Sequence, residues 1–172
     1  DVRLVFKTMG AKNHRSEKEL LEREAIKLGI EKRFTIITEY LSHSELYGLT
    51  AACDVYISLH KGEGFGIGMA EAMLMGKPVI ATNWSANTEF CRPGCSFPVD
   101  YKLVPVLPDE YFPSMKEWAE ADVDDAAKWL RLCYDDPALR KEVGLKGKAF
   151  VEEHFSVENF KKSVEEFLDD GK

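Results

Sequence analysis

No apolar run in the chain approaches the roughly 18 residues that span a bilayer, and no basic-then-apolar leader opens it. A transmembrane segment is therefore not expected. Cysteine is scarce: Cys53, Cys91, Cys95 and Cys133 offer one C-x3-C spacing and no second pair nearby, which favours free thiols over a zinc site or a disulfide framework. There is no basic excess either. With 23 Lys and Arg against 30 Asp and Glu, the net charge of −7 disfavours nucleic acid or an anionic membrane as a general partner, so any anionic ligand must be held locally. G-x-S-x-G and G-K-[S/T] are both absent, which argues against a hydrolase elbow and a P-loop. His14, His43 and His154 have no nucleophile partner at motif spacing.

What remains is an ordinary globular composition, 172 residues with 45% apolar and 31% charged content, enough for one domain over 1–172 with a real core. Strand and helix patterns alternate along it. A strand at Val2 to Phe6 precedes an amphipathic helix from Ser16 to Leu28, stopped by Gly29. Phe34 to Thr38 is β-branched, and Ser42-His43-Ser44-Glu45 spells a capping box for a helix reaching Ala52. Val55 to Leu59 predicts a buried strand, Met69 to Met75 a helix with its methionines in the core, and Gly76-Lys77-Pro78 a return to a strand at Val79 to Thr82. Ser96 to Val99 follows, then a proline-bearing irregular stretch, Tyr101 to Ser114, and helices over Val123–Asp135, Pro137–Phe155 and Val157–Leu168. This order predicts an α/β, Rossmann-like parallel sheet with helices on both faces and a helical tail, its ligand at the carboxyl ends of the strands.

The chemistry concentrates after the third strand. Gly62, Gly64, Gly66 and Gly68 occupy every second position, and a helix begins where they end. Such a junction aims unpaired N–H groups and the positive end of a helix dipole at one spot, which suits a phosphate or pyrophosphate. Glu63, inside that loop, is unhelpful to phosphate. It is better suited to accepting hydrogen bonds from hydroxyls on the same ligand, and Glu71 in the first turns of the helix is placed to do so at the ligand's other end. A nucleotide sugar has that layout.

The segment E-G-F-G-I-G-M-A-E-A-M-L-M-G-K-P-V-I-A, residues 63–81, resembles the E-x7-E segment of retaining family-four glycosyltransferases of the GT-B fold. T-N-W-S-A-N-T-E-F, D-Y-K-L-V-P-V and W-A-E-A-D are similar to a branch associated with polysaccharide assembly. The resemblance implies the C-terminal, donor-binding half of such an enzyme. Within it, Glu71 inherits the ribose hydroxyls, and Glu63 inherits the donor sugar and the catalytic role. Gly64 and the backbone N–H groups of Phe65, Gly66 and Ile67 inherit the sugar or diphosphate. His60 is placed either to approach the leaving diphosphate or to serve a structural role. The loop at Glu39-Tyr40-Leu41-Ser42 falls where the family holds the nucleotide base, so Tyr40, Leu41 and Glu45 are further donor contacts, while Trp84 to Glu89 lies at the mouth of the same cleft.

No cofactor or metal is implied. Asp122-Val123-Asp124 spells D-x-D but opens a helix, where an N-cap and a first-turn carboxylate explain it. The first residue, Asp1, is not methionine and a strand begins at once, so the chain is expected to be an excised piece without the acceptor domain and the first strand. The expected partners are a nucleotide sugar and a glycan acceptor held by that N-terminal domain. A cytoplasmic location is expected, with peripheral membrane association of the full-length enzyme left open. Two other readings stand beside this one. The first is a non-catalytic nucleotide or sugar-phosphate binding module. The second is a dinucleotide-binding domain, since G-E-G-F-G-I-G loosely echoes G-x-G-x-x-G, although Glu63 would then face pyrophosphate and the loop follows a late strand.

Overall fold

Val79-Ile80-Ala81-Thr82 is buried at every position, as a strand covered on both faces must be. The computed structural model describes residues 2–8, 15–107 and 116–170. By contacts the chain divides into two compact units, Asp1–Tyr47 and Gly48–Lys172.

In the first unit, β1 (Leu4–Lys7) pairs in parallel with β2 (Phe34–Ile37), Leu4 opposite Phe34 and Lys7 opposite Ile37. Between them lie α1 (Arg15–Lys27) and a short 3₁₀ turn, Glu31–Arg33. Gly29 ends α1 as predicted: its φ is +67°, its N–H reaches the Ile26 carbonyl, and the Ile30 N–H reaches back to Ala25. That pair of bonds is a Schellman closure, which needs a left-handed residue. Beyond β2 comes α2 (His43–Ala52), which runs from the end of the first unit into the second.

The second unit is built on a three-stranded parallel sheet of β3 (Tyr56–Ser58), β4 (Val79–Thr82) and β5 (Phe97–Val99), with β4 in the middle. The two-residue period of β4 sorts its side chains between two cores. Val79 and Ala81 join Met69, Ala70, Ala72 and Met73 of α3 (Ile67–Leu74), together with Phe90, Cys91 and Val151. Ile80 joins Phe97, Val99, Ala126, Cys133 and Val143 on the opposite face. That face is covered by α4 (Val123–Asp135) and α5 (Pro137–His154), and α5 also packs against α3. Helices therefore sit on both faces of the parallel sheet, and α6 (Val157–Asp170) forms the helical tail.

Two element readings need correction. The stretch expected to be irregular begins with a strand, β6 (Tyr101–Pro105), which pairs antiparallel with β7 (Glu117–Ala121), Tyr101 opposite Ala121. Residues 108–114 of that stretch lie outside the described residues. Pro105 sits at the end of β6 on a two-stranded ribbon, where a missing donor costs no central ladder bond. The helix expected to start at Met69 starts at Ile67, because Gly66, with φ of +91°, is the last loop glycine off the helical path and Gly68 lies within the helix. Gly76 closes α3 as Gly29 closes α1: φ is +70°, with Gly76 N–H to Met73 and Lys77 N–H to Ala72.

Candidate functional site

The start of α3 carries no side-chain cap. Gly66 occupies the N-cap position in a left-handed conformation that a Cβ would spoil, since the added atom would lie 2.5 Å from the Met69 Cε. Its carbonyl accepts from Met69 and Ala70 as the helix opens, and no acidic residue stands in the first turn. The amides of the first helical residues are thus left to whatever anion approaches them.

Two carboxylates flank this start. Glu63 is half-buried in the loop, and its Oε1 accepts the Gly64 N–H at 3.0 Å. Glu71 is half-buried on the second turn of α3. Tyr56 of β3 lies within electrostatic reach of both. Burial pushes its phenol up from the ordinary value of 10.0, and the negative charges of Glu63 and Glu71 push it further, so the hydroxyl stays protonated. That hydroxyl abuts the helix start, where a Cβ added to Gly68 would lie 2.6 Å from it. Gly68 is therefore small because a neutral donor occupies the space.

The glycine loop is fastened from the β4 side. His60 Nε2 stands 3.1 Å from the Trp84 carbonyl oxygen and 3.0 Å from Asn87 Oδ1. Asn87, fully buried, donates its Nδ2 to the Thr82 carbonyl at 3.0 Å, which turns its oxygen toward His60. Both neighbours of Nε2 accept only, so Nε2 carries the proton, and Nδ1 takes a hydrogen bond from the Ser58 hydroxyl at 3.1 Å. Both ring nitrogens of His60 are thus engaged within the protein.

Ser85 makes the second fastening. Its hydroxyl accepts the Glu63 N–H at 3.0 Å and donates to the Glu63 carbonyl at 2.6 Å. Among the described residues it is the one non-glycine with positive φ, at φ +81° and ψ −164°. That region suits glycine almost alone and costs another residue on the order of 1–3 kcal/mol. The Thr88 hydroxyl donates to the Ser85 carbonyl at 2.7 Å, and the Thr88 N–H does so at 3.2 Å, so the neighbouring 3₁₀ turn, Ala86–Glu89, holds the conformation in place.

Aromatic rings brace the outer side. Phe65 packs on Phe90 with centroids 5.3 Å apart and meets Phe155 edge-on at 5.6 Å, so its side chain anchors the loop and leaves its backbone for a ligand. The Lys61 ammonium lies 3.9 Å from the Trp118 ring centroid, its carbonyl accepts the Ala119 N–H at 2.9 Å, and Trp84 packs on Tyr101 at 5.3 Å. The β6–β7 ribbon is tied by these contacts to both the glycine loop and the segment after β4.

Tyr40, Leu41 and Glu45 belong to the first unit, with Tyr40 82% exposed. Glu45 closes the capping box: its Oε2 accepts the Ser42 N–H at 2.8 Å and the Ser42 hydroxyl at 2.7 Å. Asp122 caps α4 as expected, its Oδ1 accepting from the Asp124 and Asp125 N–H groups at 3.0 Å each. Among the described residues no three His, Cys, Asp or Glu side chains gather as metal ligands, and all four cysteines are free. Burial pushes the thiols of Cys91 and Cys133 up to about 12 and about 11, which keeps them unreactive. No helix among the described residues is long and apolar enough to cross a membrane.

Tyr56 is a site residue that the sequence did not single out, whereas Ser85 and Asn87 fall in the expected Trp84-to-Glu89 stretch, which carried no sign of their fastening roles. Tyr56 looked like one more apolar position of a buried strand, and Ser85 carries no mark of a positive φ.

A parallel α/β sheet with helices on both faces, and an uncapped helix start flanked by two carboxylates beyond the carboxyl end of β3, is an arrangement of the Rossmann type. The chain matches the Glycosyl transferases group 1 family over residues 1–117 and belongs to that family. It is 36% identical over 78 residues to the lipopolysaccharide core biosynthesis mannosyltransferase LpsB of Rhizobium meliloti (strain 1021), a match covering 45% of this chain and 21% of that protein. Its fold is that of GT-B glycosyltransferases. HepE (Alr3699) of Anabaena, solved in complex with UDP and glucose, superposes with a TM-score of 0.74 at 21% identity over 98% of this chain and 41% of its own. Sucrose-phosphate synthase (tll1590) of Thermosynechococcus elongatus gives 0.73 at 19% identity over 98% and 38%. The C-terminal domain of LpcC, a glycosyl transferase group 1 family protein of Francisella tularensis, gives 0.66 at 21% identity over 86% and 66%. The chain thus spans about two fifths of the length of the first two of these structures and about a fifth of LpsB.

Proposed function

We propose that residues 1–172 form the donor half of a retaining glycosyltransferase that moves a hexose from a nucleoside diphosphate sugar to a hydroxyl of a glycan. The observation that carries this reading is the uncapped start of α3, flanked by Glu63 and Glu71 with the protonated Tyr56 hydroxyl nearby. Family membership supports it, as do the UDP and glucose bound by HepE and the mannosyl transfer named for LpsB.

In this reading the amides of Phe65, Gly66 and Ile67 face the diphosphate and neutralise the charge that grows as it departs. Glu63 holds the hydroxyls of the sugar and the charge developing at its anomeric carbon, and Glu71 holds the ribose. Positioning and fixed dipoles supply the rate, without a resident metal or cofactor. Tyr40, Leu41 and Glu45 contribute to the base site, and the acceptor enters from an N-terminal domain in a cytoplasmic enzyme of polysaccharide biosynthesis.

Calorimetric titration with UDP, GDP, ADP and NAD, first without and then with Mg²⁺, tests the proposal. One nucleoside diphosphate should bind without metal, and Glu71→Ala should weaken it about 10- to 100-fold, the value of a charge-assisted hydrogen bond, while stability changes by less than about 1 kcal/mol. Selective binding of NAD would overturn the reading. Tight binding with no transfer by the full-length protein would leave the non-catalytic module in its place.

A further inference from the structure

The segment from His60 to Glu63 is held at both ends by one short stretch of chain. At its start, the His60 ring bonds the Trp84 carbonyl and the Asn87 side chain. At its end, the Glu63 main chain exchanges two hydrogen bonds with a single hydroxyl, that of Ser85. The backbone of Ser85 is nevertheless in a conformation that glycine would adopt with less strain. Glycine has no hydroxyl, so relief of that strain and retention of the two bonds to Glu63 are mutually exclusive at this position. Thr88 holds the strained carbonyl with two bonds of its own, which shows how far the surroundings are built around this geometry.

We propose that Ser85 is a positioning residue whose side chain clamps the main chain of Glu63 and so aims the Glu63 carboxylate at the donor sugar. The inference rests on the donor-site reading given above. The Glu63 side chain leaves the chain between its own N–H and carbonyl, and both of those groups are fixed by one oxygen, so rotation of the peptide planes that would swing the carboxylate is blocked. The carboxylate is fixed in turn by its bond to the Gly64 N–H. Ser85 itself does not touch substrate in this scheme. Its loss is felt through misplacement of another group, to which transfer rates are steeply sensitive.

Glycine and alanine at position 85 separate this role from a merely structural one. Ser85→Gly removes the hydroxyl and relieves the backbone, so the thermal midpoint should hold or rise while kcat of the full-length enzyme falls about 10- to 100-fold. Ser85→Ala removes the hydroxyl and keeps the strain, so kcat should fall by a similar factor with a lowered midpoint. In both, affinity for the nucleoside diphosphate should stay within about threefold, because the clamp acts on the sugar end. Hydrogen exchange reads the clamp directly, and the Glu63 amide should exchange about tenfold faster in Ser85→Gly than in the parent. Unchanged exchange at Glu63 overturns the clamp, and a kcat that follows the thermal midpoint in both variants overturns the positioning role. If the parent enzyme transfers from no nucleotide sugar, the donor-site reading itself falls and takes the aiming role with it, while the exchange result still reports on the clamp.

Discussion

α2 and α3 each follow a parallel strand across a loop, and their first turns are satisfied in different ways. At α2 the Ser42 hydroxyl accepts the Glu45 N–H at 3.3 Å, while the Glu45 carboxylate takes the N–H and hydroxyl of Ser42. This is a closed capping box, and it satisfies the helix from within. At α3 the N-cap is Gly66, which has no side chain to offer, and the nearest acid within the helix is Glu71 on the next turn. A helix start that caps itself leaves little for a ligand, whereas one that does not is stable only because its surroundings hold it open. Here those surroundings are the His60 and Ser85 fastenings and the aromatic cluster at Phe65. A nucleotide contact through Glu45 would use the oxygen that the capping box leaves over, whereas the Glu63 carboxylate accepts the Gly64 N–H of its own loop and leaves the N-cap position to Gly66.

Four substitutions would break or sharpen this contrast, the most damaging at the uncapped start. Gly66→Ala puts a Cβ against Met69 at a left-handed position and should cost about 2 kcal/mol or more in urea unfolding, with nucleotide binding lost. Retained binding would mean that the exact path of this start does not matter. Next, Glu63→Ala should lower kcat of the full-length enzyme about 100-fold while changing nucleoside diphosphate affinity less than about threefold. A loss confined to affinity would move Glu63 from the sugar to the nucleotide.

The smallest effect belongs to the closed start. Ser42→Ala removes a cap and should cost about 1 kcal/mol by thermal unfolding, and no loss would mean that α2 does not depend on its box. The same box gives a pH signature. The hydroxyl of Ser42, and then its amide, hold the Glu45 carboxyl below the ordinary glutamate value of 4.5. Its contribution is thus fully present above that value and fades as pH falls through the folded pKa. In Glu45→Gln, the stability difference between pH 6 and pH 3 should shrink relative to the parent.

Most of the fold was legible because its signals are local. Gly29 and Gly76 announced the ends of α1 and α3, Ser42 and Glu45 the start of α2, and Asp122 and Pro137 the starts of α4 and α5. The β6–β7 ribbon was not. Its strands carry Pro105 and, around Trp118, the poor strand formers Glu117, Ala119, Glu120 and Ala121, and each strand supplies the other's ladder. At the site, the glycine spacing and the two glutamates were visible, since chemistry of that kind is written in residue types. The clamp was hidden because a positive φ at a serine and a contact across 22 residues depend on tertiary structure alone.

The two buried glycines of α5 have a consequence at the far end of that helix. A Cβ on Gly144 would collide with the carbonyl oxygen of Gly76, and one on Gly147 would come within 2.6 Å of that of Cys95, so α5 rests directly on main chain at both places. Main chain yields less than side chain, and the seat of the helix is therefore set by contacts with almost no play. Immediately after α5 comes Phe155, whose ring meets Phe65 of the glycine loop. The helix behaves as a gauge rod: its height is fixed where it has no side chains, and its tip registers that height against the loop that carries Glu63. A single methyl group at position 144, far along the chain from the loop, is in this sense a displacement of the loop.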